Sequence, residues 1–466
     1  MSDVERVLRQ VDEGLPGALE RLFELLRIDS ISTDPAYRDS CRKAADWLVE
    51  DLSSIGFETQ RHDTPGHPMV VGHQAGASEQ GPHLLFYGHY DVQPVDPLEL
   101  WHRPPFEPAV EETDKGKVIR ARGAADDKGQ LMTFVEACRA WKQVTGSLPT
   151  RVSLFFEGEE ESGSPSLIPF MQKHNDELKA DLALVCDTGM WDSETPTIST
   201  MLRGMVGEEI TITGPSLDLH SGMYGGPAIN PIRVLTRILA DLHDDEGRIT
   251  LPGFYEGVPE LPEDVRAQWA SLQHDDAGFL ESVGLSKPAG EADYSVLEQI
   301  WARPTCDVNG IAGGYSGEGF KTVLPSRAMA KVSFRLVGNQ DPVSIQQALY
   351  KHIEDRLPPD CTASYLSKDG SPATVMPVEA PAFRQAQQAL TREWQKEAVY
   401  AGCGGSIPVV GHIKKILDMD SLLIGFMLDD DAIHSPNEKY SLKSFHKGIR
   451  SWVRILDALA QDEKAG

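Results

Sequence analysis

The sequence predicts an α/β fold in which a mainly parallel-sheet domain carries an inserted, ferredoxin-like α+β domain. Three observations predict it. Strands and helices alternate between Leu84 and Asp187, as in β-α-β units. After Gly204 the pattern changes to a split β-α-β-β-α-β order, and from about Pro381 the first pattern returns. The smaller domain is therefore expected to interrupt the larger one.

The first part opens with two amphipathic helices. Apolar residues recur at three-to-four spacing in 19–26 and 41–52, which is the helical period. Continuous apolar runs then predict strands that are buried on both faces, as in a parallel sheet. Helices are expected to begin near Gly129 and after Ser164-Pro165. The predicted strands are Leu84–Tyr87, Val152–Phe156 and Leu182–Cys186.

The inserted part has four predicted strands and two predicted helices in the split order. The stretch Leu251–Pro304 interrupts them with Pro, Gly and acidic residues, and we expect a long excursion with short helices of its own. The predicted elements are the strand Glu208–Thr213, the helix Pro231–Leu242, the strands Thr305–Gly310 and Met329–Val337, the helix Pro342–Leu357 and the strand Thr362–Leu366.

The last part returns to the first domain. It is predicted to contain the helix Phe383–Trp394, the strand Leu422–Met427 and a final helix Ser444–Leu459. The predicted domain boundaries follow from this order. Residues 1–204 and 380–466 form the larger domain, and residues 205–379 form the inserted one.

Composition limits the class of protein. With 466 residues the chain is long enough for two or three domains, and 40% hydrophobic with 25% charged residues is typical of soluble globular proteins. No apolar run approaches the roughly 18 residues that a membrane helix needs. The net charge of −27 without a basic run excludes nucleic acid as a ligand. The polar N-terminus and six scattered cysteines indicate a cytoplasmic protein with reduced thiols.

Five short motifs carry the chemistry, and four of them directly follow a predicted strand. Ligands in an open α/β sheet collect outside the carboxyl ends of the strands, so motifs that are distant in sequence are expected to meet in one site. The motifs are Gly88-His89-Tyr90-Asp91, Gly123–Gly129 with Asp126-Asp127, Glu157–Ser162, Asp187 and Ile433-His434-Ser435-Pro436.

Imidazole and carboxylate groups of this kind suit zinc or, with more oxygen donors, manganese. Any one motif has a simpler interpretation, since a single histidine after a strand is commonly a packed residue and an acidic run is commonly a solvated loop. Five motifs in one chain, mostly at strand ends, favour a site for two metal ions.

The motifs resemble those of the acetylornithine deacetylase / succinyl-diaminopimelate desuccinylase / carboxypeptidase G family of co-catalytic zinc hydrolases, and most closely its carnosinase-like dipeptidase branch. The resemblance runs from about residue 15 to the C-terminus. It is carried by the segments 88–94, 126–129, 157–164, 218–226, 404–408 and 434–439.

The resemblance implies a ligand set for two divalent metal ions. The expected metal is zinc, and manganese is the alternative. Asp126 would bridge the two metals, His89 and Asp187 would complete one, and Glu161 and His434 the other. A shared carboxylate offsets the repulsion between two close dications. Asp91, two residues after His89, would orient the His89 imidazole.

The resemblance also implies a general base and an oxyanion donor. Glu160 would take a proton from a metal-bridged water and deliver it to the leaving amine. Three consecutive glutamates leave either Glu159/Glu160 or Glu160/Glu161 as the base and ligand pair. Counting forward from Glu157-Gly158 and back from Ser162-Gly163 favours the second pair. His220, in the inserted domain, would donate to the oxyanion from the partner subunit of a homodimer formed through that domain.

Four residues are expected to hold the substrate. Arg335 would pair with a substrate carboxylate, although an arginine in a strand is also a common surface residue with a packed stem. Asn309, Thr322 and Ser406 are further candidates for holding the peptide. Thr188-Gly189 replaces the asparagine that often follows the aspartate in this branch, and the acidic run Leu428–Ile433 is unusual. Its carboxylates are either simply solvated or would favour substrates with a cationic end.

The resulting hypothesis is a metal-dependent hydrolase of dipeptides or short peptides with a free C-terminal carboxylate. An N-acyl-amino-acid amidohydrolase is the alternative enzyme, because the pocket walls that set specificity cannot be identified from sequence. A catalytically idle binding protein on the same fold is the alternative of another class. No membrane or nucleic-acid partner is expected.

Overall fold

The computed structural model describes residues 2–78, 81–405 and 407–461, and they fold as two compact units. The first unit comprises Met1–Thr200, Met376–Tyr400 and His412–Gly466. The second comprises Met201–Val375 and Ala401–Gly411. None of the described helices combines the length and the apolar character that crossing a bilayer requires. All six cysteines are free thiols.

The first unit is built around a mixed sheet. Its strand order is Glu58–His62, Met69–Gln74, Val152–Glu157, Leu84–His89, Leu182–Val185, Ser421–Leu423, Thr197–Leu202 and Thr374–Val375. The strand Val399–Cys403 also pairs with Thr197–Leu202. The four strands from Val152–Glu157 to Ser421–Leu423 are mutually parallel, as the apolar runs predict. The flanking strands pair antiparallel, which the sequence did not reveal.

Helices cover this sheet, and a small antiparallel sheet lies beside it. The small sheet has the order Lys439–Ser441, Gly116–Arg120, Ala109–Thr113. The helices of the first unit are Asp3–Leu26, Arg38–Ser54, Lys128–Thr145, Leu167–Lys173, Asn175–Leu178, Pro381–Trp394 and Leu442–Ala460, and Pro408–His412 joins the two units along the chain.

The core of the first unit forms where helices meet the central strands. Trp452 packs edge-on against Phe86 and Phe134, at ring-centroid distances of 5.7 and 5.3 Å. Phe86 and Phe134 are themselves stacked at 3.9 Å. Burial of such rings stabilises a fold by about 1.5–3 kcal/mol each. This packing fixes the helix Lys128–Thr145, and with it the loop that precedes the helix, against the sheet.

The predicted strand Leu422–Met427 is shorter in the structure, ending at Leu423. The reason is that the Gln130 side chain, and not the backbone of a neighbouring strand, accepts a backbone N–H group of this segment. The Phe426 N–H donates to Gln130 Oε1 at 2.7 Å, so the ladder is interrupted at Phe426, and Met427 pairs again only as an isolated bridge with Gly189. The Ile424 N–H still donates to the Val185 carbonyl, which keeps the segment beside the sheet.

The second unit has the ferredoxin-like arrangement that the sequence predicts. Its antiparallel sheet has the order Thr305–Gly313, Arg327–Leu336, Gly204–Thr213, Thr362–Ser371. Alternate residues of Gly204–Thr213 and Arg327–Leu336 are buried, and the helices Pro231–Ala240 and Pro342–Glu354 cover that face. The remaining elements are the strands Leu219–His220, Val323–Leu324 and Thr374–Val375 and the helices Ser221–Tyr224, Glu263–Ser271, Asp276–Glu281 and Val296–Trp301.

The two units divide close to, but not at, the boundaries expected from sequence. The divisions fall after Thr200 and Val375 instead of residues 204 and 379, and Ala401–Gly411 belongs to the second unit. Arg203 explains the last difference. Its Nε donates to the Gly404 carbonyl at 2.9 Å and its backbone N–H to the Gly405 carbonyl at 3.2 Å. These bonds hold the glycine-rich loop to the second unit.

Candidate metal centre

The candidate site lies at the carboxyl ends of the parallel strands of the first unit. His89 is the last residue of Leu84–His89, and Asp187 follows Leu182–Val185 by two residues. Glu160 and Glu161 form a short turn just after Val152–Glu157. The strands bring these side chains together because parallel neighbours end at the same edge of the sheet.

Asp126 lies at the centre of the site, in the loop before the helix Lys128–Thr145. Its Oδ1 is 3.2 Å from His89 Nε2 and its Oδ2 is 3.0 Å from His434 Nε2. The loop is tightly folded: a Cβ on Gly129 would lie 1.9 Å from the Ala124 carbonyl oxygen, so only glycine fits there. The two oxygens of one carboxylate thus face two different histidines.

Two groups of potential metal ligands share Asp126. One group is His89, Asp126 and Asp187, and the other is Asp126, Glu161 and His434. Within each group one ligand atom per residue lies within 4.8 Å of the others. Two groups with one common carboxylate are the arrangement that a bridged pair of dications requires.

The residues fit such ions. His89 is fully buried, and its Nε2 has no hydrogen-bond partner within the described part of the chain although an Asp126 oxygen lies 3.2 Å away. A buried lone pair is costly to leave unsatisfied, and a divalent cation would satisfy it together with the carboxylate. The mixed nitrogen and oxygen donors suit zinc or manganese.

Electrostatics of the site favour bound cations. Burial raises the pKa of Asp187 well above its usual range, and the charge of Asp126 raises it further. Hydrogen bonds to Asp126 and Glu161 raise the pKa of His434 to about 10. Burial opposes ionisation of Asp126, yet the hydrogen bond from His434 and the nearby imidazole of His89 hold its pKa below the usual range. The site therefore concentrates negative charge in a place from which water is largely excluded.

Asp91 orients two parts of the site at once. Its Oδ1 is 3.3 Å from His89 Nδ1, so the opposite ring nitrogen of His89 faces Asp126. The two carboxylate oxygens also accept the backbone N–H groups of Glu160 and Glu161, at 3.3 and 3.1 Å. A fully buried carboxylate in this position fixes the ring of a ligand histidine and raises its basicity.

The three consecutive glutamates have three different environments. Glu159 is buried and accepts the backbone N–H groups of His67 and Ser166, at 2.7 and 2.9 Å. Glu161 belongs to the ligand group with His434. The Glu160 carboxylate has no hydrogen-bond partner among the residues described, and burial and then the nearby carboxylates raise its pKa. Unlike Glu159, Glu160 therefore does not use its carboxylate as a structural acceptor within the described part of the chain.

Gln93 is a residue of the site that sequence reasoning missed. Its Nε2 donates to Glu161 Oε2 at 2.6 Å, the same oxygen that lies 3.3 Å from His434 Nε2. This hydrogen bond fixes the orientation of the Glu161 carboxylate. The only sequence signal was its position two residues after Asp91 in the first motif.

His220 lies in the second unit and is exposed. The strand Leu219–His220 pairs with Val323–Leu324, and His220 Nδ1 accepts the Gly222 N–H at 3.0 Å. The histidine therefore caps a local turn through Nδ1, which leaves Nε2 as the ring nitrogen for another role. Thr322 is also exposed, and its carbonyl accepts the Ser221 N–H.

Arg335 and Asn309, two further expected substrate residues, lie in the same unit. Arg335 is half-buried in the strand Arg327–Leu336 and lines a cavity of about 570 Å³ together with Arg203 and Asp307. Burial and then the charge of Arg335 lower the pKa of Arg203 to about 10. Asn309 is exposed, at an irregularity in the strand Thr305–Gly313. Ser406 lies outside the described residues.

The acidic run before His434 has a structural role for two of its carboxylates. Asp430 pairs with Lys115 and Lys439, each at 2.8 Å. Asp431 is buried, pairs with Lys439 at 2.8 Å and accepts the Leu428 N–H at 2.7 Å. The expectation that this run favours a cationic end of the substrate was wrong for these two residues, because lysines already neutralise them.

Comparison with known protein families identifies the fold and the motifs. Residues 85–458 match peptidase family M20/M25/M40, and the match includes all five proposed metal ligands. The chain belongs to this family. The resemblance carried by the sequence motifs is thereby confirmed.

Relatives of known activity cover nearly the whole chain. The Cys-Gly metallodipeptidase dug1 of Schizosaccharomyces pombe is 28% identical, over 98% of this chain and 98% of its own. The Beta-Ala-His dipeptidase of Homo sapiens is 25% identical, over 98% of this chain and 93% of its own. The carnosinase-like branch inferred from the motifs is thus among the relatives.

A solved structure supports the same architecture. The M20 family metallo-carboxypeptidase Sso-CP2 from Sulfolobus solfataricus is 29% identical, with a TM-score of 0.79. The match covers 95% of this chain and 99% of that one. The fold of this chain is therefore also that of Sso-CP2 over nearly the whole length of both chains.

Proposed function

We propose that this protein hydrolyses the peptide bond of dipeptides, or of short peptides with a free C-terminal carboxylate, with two divalent metal ions. The observation that carries the proposal is the position of Asp126, whose two oxygens face His89 and His434 and which is common to both ligand groups. The relatives named as dipeptidases support the choice of substrate class.

The bound ions would polarise the scissile carbonyl and acidify a water molecule. The chain supplies the proton transfers. Glu160 takes a proton from the attacking water and later delivers it to the leaving amine. This role requires a carboxylate that does not already accept hydrogen bonds from other groups. Asp91 keeps Glu160 in place through its backbone N–H and keeps His89 in one orientation.

His220 is proposed to stabilise the oxyanion from the partner subunit of a homodimer formed through the inserted domain. Exposed apolar side chains in the second unit support such an interface. Phe320 is 93% exposed, Met223 is 74% exposed and Ile311 is 58% exposed. Ile311 lies on the edge strand Thr305–Gly313, and the other two lie in segments next to strands of the same unit. An apolar edge of this kind is usually covered by another chain.

Arg335 is proposed to bind the C-terminal carboxylate of the substrate. A guanidinium pairs with a carboxylate through two parallel hydrogen bonds. Arg203 lines the same cavity, and burial and then the charge of Arg335 lower the pKa of Arg203. An anion between the two guanidinium groups would relieve their repulsion. Asn309, Thr322 and Ser406 are proposed to hold the peptide backbone.

The N-acyl-amino-acid amidohydrolase is the second candidate enzyme, since the same metal centre cleaves acyl amides. The idle binding protein is disfavoured because Glu160 and the five proposed ligands are all present and the ligand groups are assembled. Zinc is the proposed metal, with manganese as the alternative. The cytoplasmic location stays a prediction, which cell fractionation tests.

The deciding experiment compares substrates on metal-reconstituted protein. Metal-stripped protein is loaded with Zn²⁺ or Mn²⁺ and given a dipeptide, its N-acetylated form, an N-acyl amino acid and a tripeptide, with Glu160→Ala as the background control. We expect the free dipeptide to be cleaved fastest, and the N-acetylated form at least 10-fold more slowly, since one lost charged contact costs about 1.5–3 kcal/mol. Faster cleavage of the N-acylated compounds would establish the amidohydrolase instead.

A further inference from the structure

Glu438 is a buried carboxylate that four donors surround. Its Oε2 accepts Arg122 Nη1 and the Gly123 N–H, both at 2.8 Å. Its Oε1 accepts the N–H groups of Ala125 and Asp126, at 2.8 and 3.1 Å. Glu438 and Arg122 are at most 1% exposed. The carboxylate thus binds the backbone of the loop that carries the bridging aspartate, including the N–H of Asp126 itself.

Glu438 is also linked to His434 through the backbone, because it follows His434 by only four positions in the chain. Between them the backbone has positive φ at His434 and Asn437, so the segment folds into a compact loop. Asn437 fastens that loop by accepting the His102 N–H and donating to the Leu100 carbonyl, both at 2.8 Å. Glu438 then leads into the strand Lys439–Ser441. The His434 loop and the Asp126 loop are therefore joined through one side chain.

His89, in the other ligand group, has a separate hydrogen bond to the loop that carries Asp126. Asp127 Oδ2 accepts the His89 N–H at 3.3 Å, and Asp127 is the neighbour of Asp126. This hydrogen bond links the Asp126 loop to the end of the strand Leu84–His89 without Glu438. Loss of Glu438 would therefore shift Asp126 relative to His434 more than relative to His89.

We propose that Glu438, held by Arg122, is a positioning residue that sets the spacing between Asp126 and His434 and thereby the affinity of the metal bound by Asp126, Glu161 and His434. The inference rests on the proposed function, because it presumes a pair of metal ions. Charge-assisted hydrogen bonds to three backbone N–H groups are stronger than neutral ones and keep the loop from rearranging. Groups that orient metal ligands in this way typically contribute 10- to 100-fold in affinity.

The test is the metal affinity of Glu438→Gln. This substitution keeps the shape but turns an N–H donor towards backbone N–H groups, which cannot pair with it. Metal-stripped protein is titrated with Zn²⁺ in a calorimeter, and the bound metal is counted after gel filtration. We expect one ion to bind as in the wild type and the other to bind about 10- to 100-fold more weakly. The ion affected must be the one that His434→Ala removes.

Glu393→Gln is the matched control. Glu393 is also buried in the first unit and is bound by arginines, Arg450 at 2.6 Å and Arg454 at 2.8 Å. The Glu393→Gln substitution should lower the melting temperature without changing the affinity of either metal site for Zn²⁺. Arg122→Lys is the second variant in case Glu438→Gln does not fold, because it keeps the positive charge and loses the planar guanidinium, which donates to Glu438 through Nη1 and to the Pro94 carbonyl through Nη2. We expect it to weaken the same ion, by a smaller factor.

The outcomes separate this inference from the proposed function. Wild-type affinity for both ions in folded Glu438→Gln, or equal weakening of both, overturns the role of Glu438 and leaves the two-metal site intact. Wild-type protein that binds fewer than two Zn²⁺ ions overturns the proposed function and this inference with it. If Glu393→Gln weakens the same ion as Glu438→Gln, the effect is one of general stability and the positioning role is rejected.

Discussion

His434 Nε2 lies 3.0 Å from Asp126 Oδ2, although 308 positions separate the two residues in the chain. The other oxygen of Asp126 faces His89. One carboxylate therefore joins two ligand groups, and of their five residues only His434 comes from the last part of the sequence. A mixed sheet assembled from both parts is what makes that meeting possible.

Glu160→Ala is expected to leave the metal content nearly unchanged and to lower kcat at least 10²-fold, the usual scale for loss of a general base. The reason is that Glu160 lies outside both ligand groups. Metal analysis and steady-state kinetics on a dipeptide check this. Loss of metal with retained turnover would exchange the roles of Glu160 and Glu161.

His434→Ala is expected to remove one metal ion and to leave the other bound. His434 belongs only to the group with Asp126 and Glu161, whereas the group of His89, Asp126 and Asp187 keeps its three donors. Elemental analysis after dialysis measures the count. Loss of both ions would show that the two sites cannot be filled independently.

His220→Ala and Glu160→Ala are each expected to be inactive, and their mixture to recover activity. If His220 serves the partner's metal centre, one site of each heterodimer has both residues. Equal amounts are mixed under mild denaturant to exchange subunits and then assayed. No recovery would mean that His220 acts within its own subunit or only caps its turn.

The contribution of His352 to the unfolding free energy is expected to fall as the pH drops below about 6.5, the usual pKa of histidine. Burial lowers the pKa of His352, whose Nε2–H donates to the Ile238 carbonyl at 3.1 Å. Below that pH His352 binds a proton in the unfolded chain and not in the folded one, so its contribution favours unfolding.

His352→Gln should reduce this dependence, and His102→Gln, at an exposed position, should not. Urea denaturation followed by circular dichroism at about pH 7.5 and about pH 5.5 measures it, since the linkage acts between those values. An identical pH dependence in His352→Gln and the wild type would refute the assignment.

The elements that could be predicted from sequence are those whose pattern reflects burial alone. Leu84–His89 and Val152–Glu157 are buried throughout and mostly apolar because both faces of the strands are covered. The site motifs could be located because they follow such strands. The edge strand Glu58–His62 could not, since its polar, half-exposed residues lack an apolar pattern.

The supporting contacts of the site could not be predicted either. Glu438 and Gln93 act through hydrogen bonds to residues that are 312 and 68 positions away. Only the assembled fold brings such partners together, and nothing in the local sequence distinguishes these side chains from solvated ones. The same holds for the loop at 401–411, whose place in the second unit depends on Arg203.

The most direct test of the account is the metal content of Asp126→Ala, compared with Asp187→Ala. Asp126 belongs to both ligand groups and Asp187 to one. After reconstitution with Zn²⁺ and dialysis, we expect Asp126→Ala to retain neither ion and to have no dipeptidase activity, and Asp187→Ala to retain one ion. A fully occupied single ion in Asp126→Ala would contradict the account, because a carboxylate shared by both metals could not be lost without losing both.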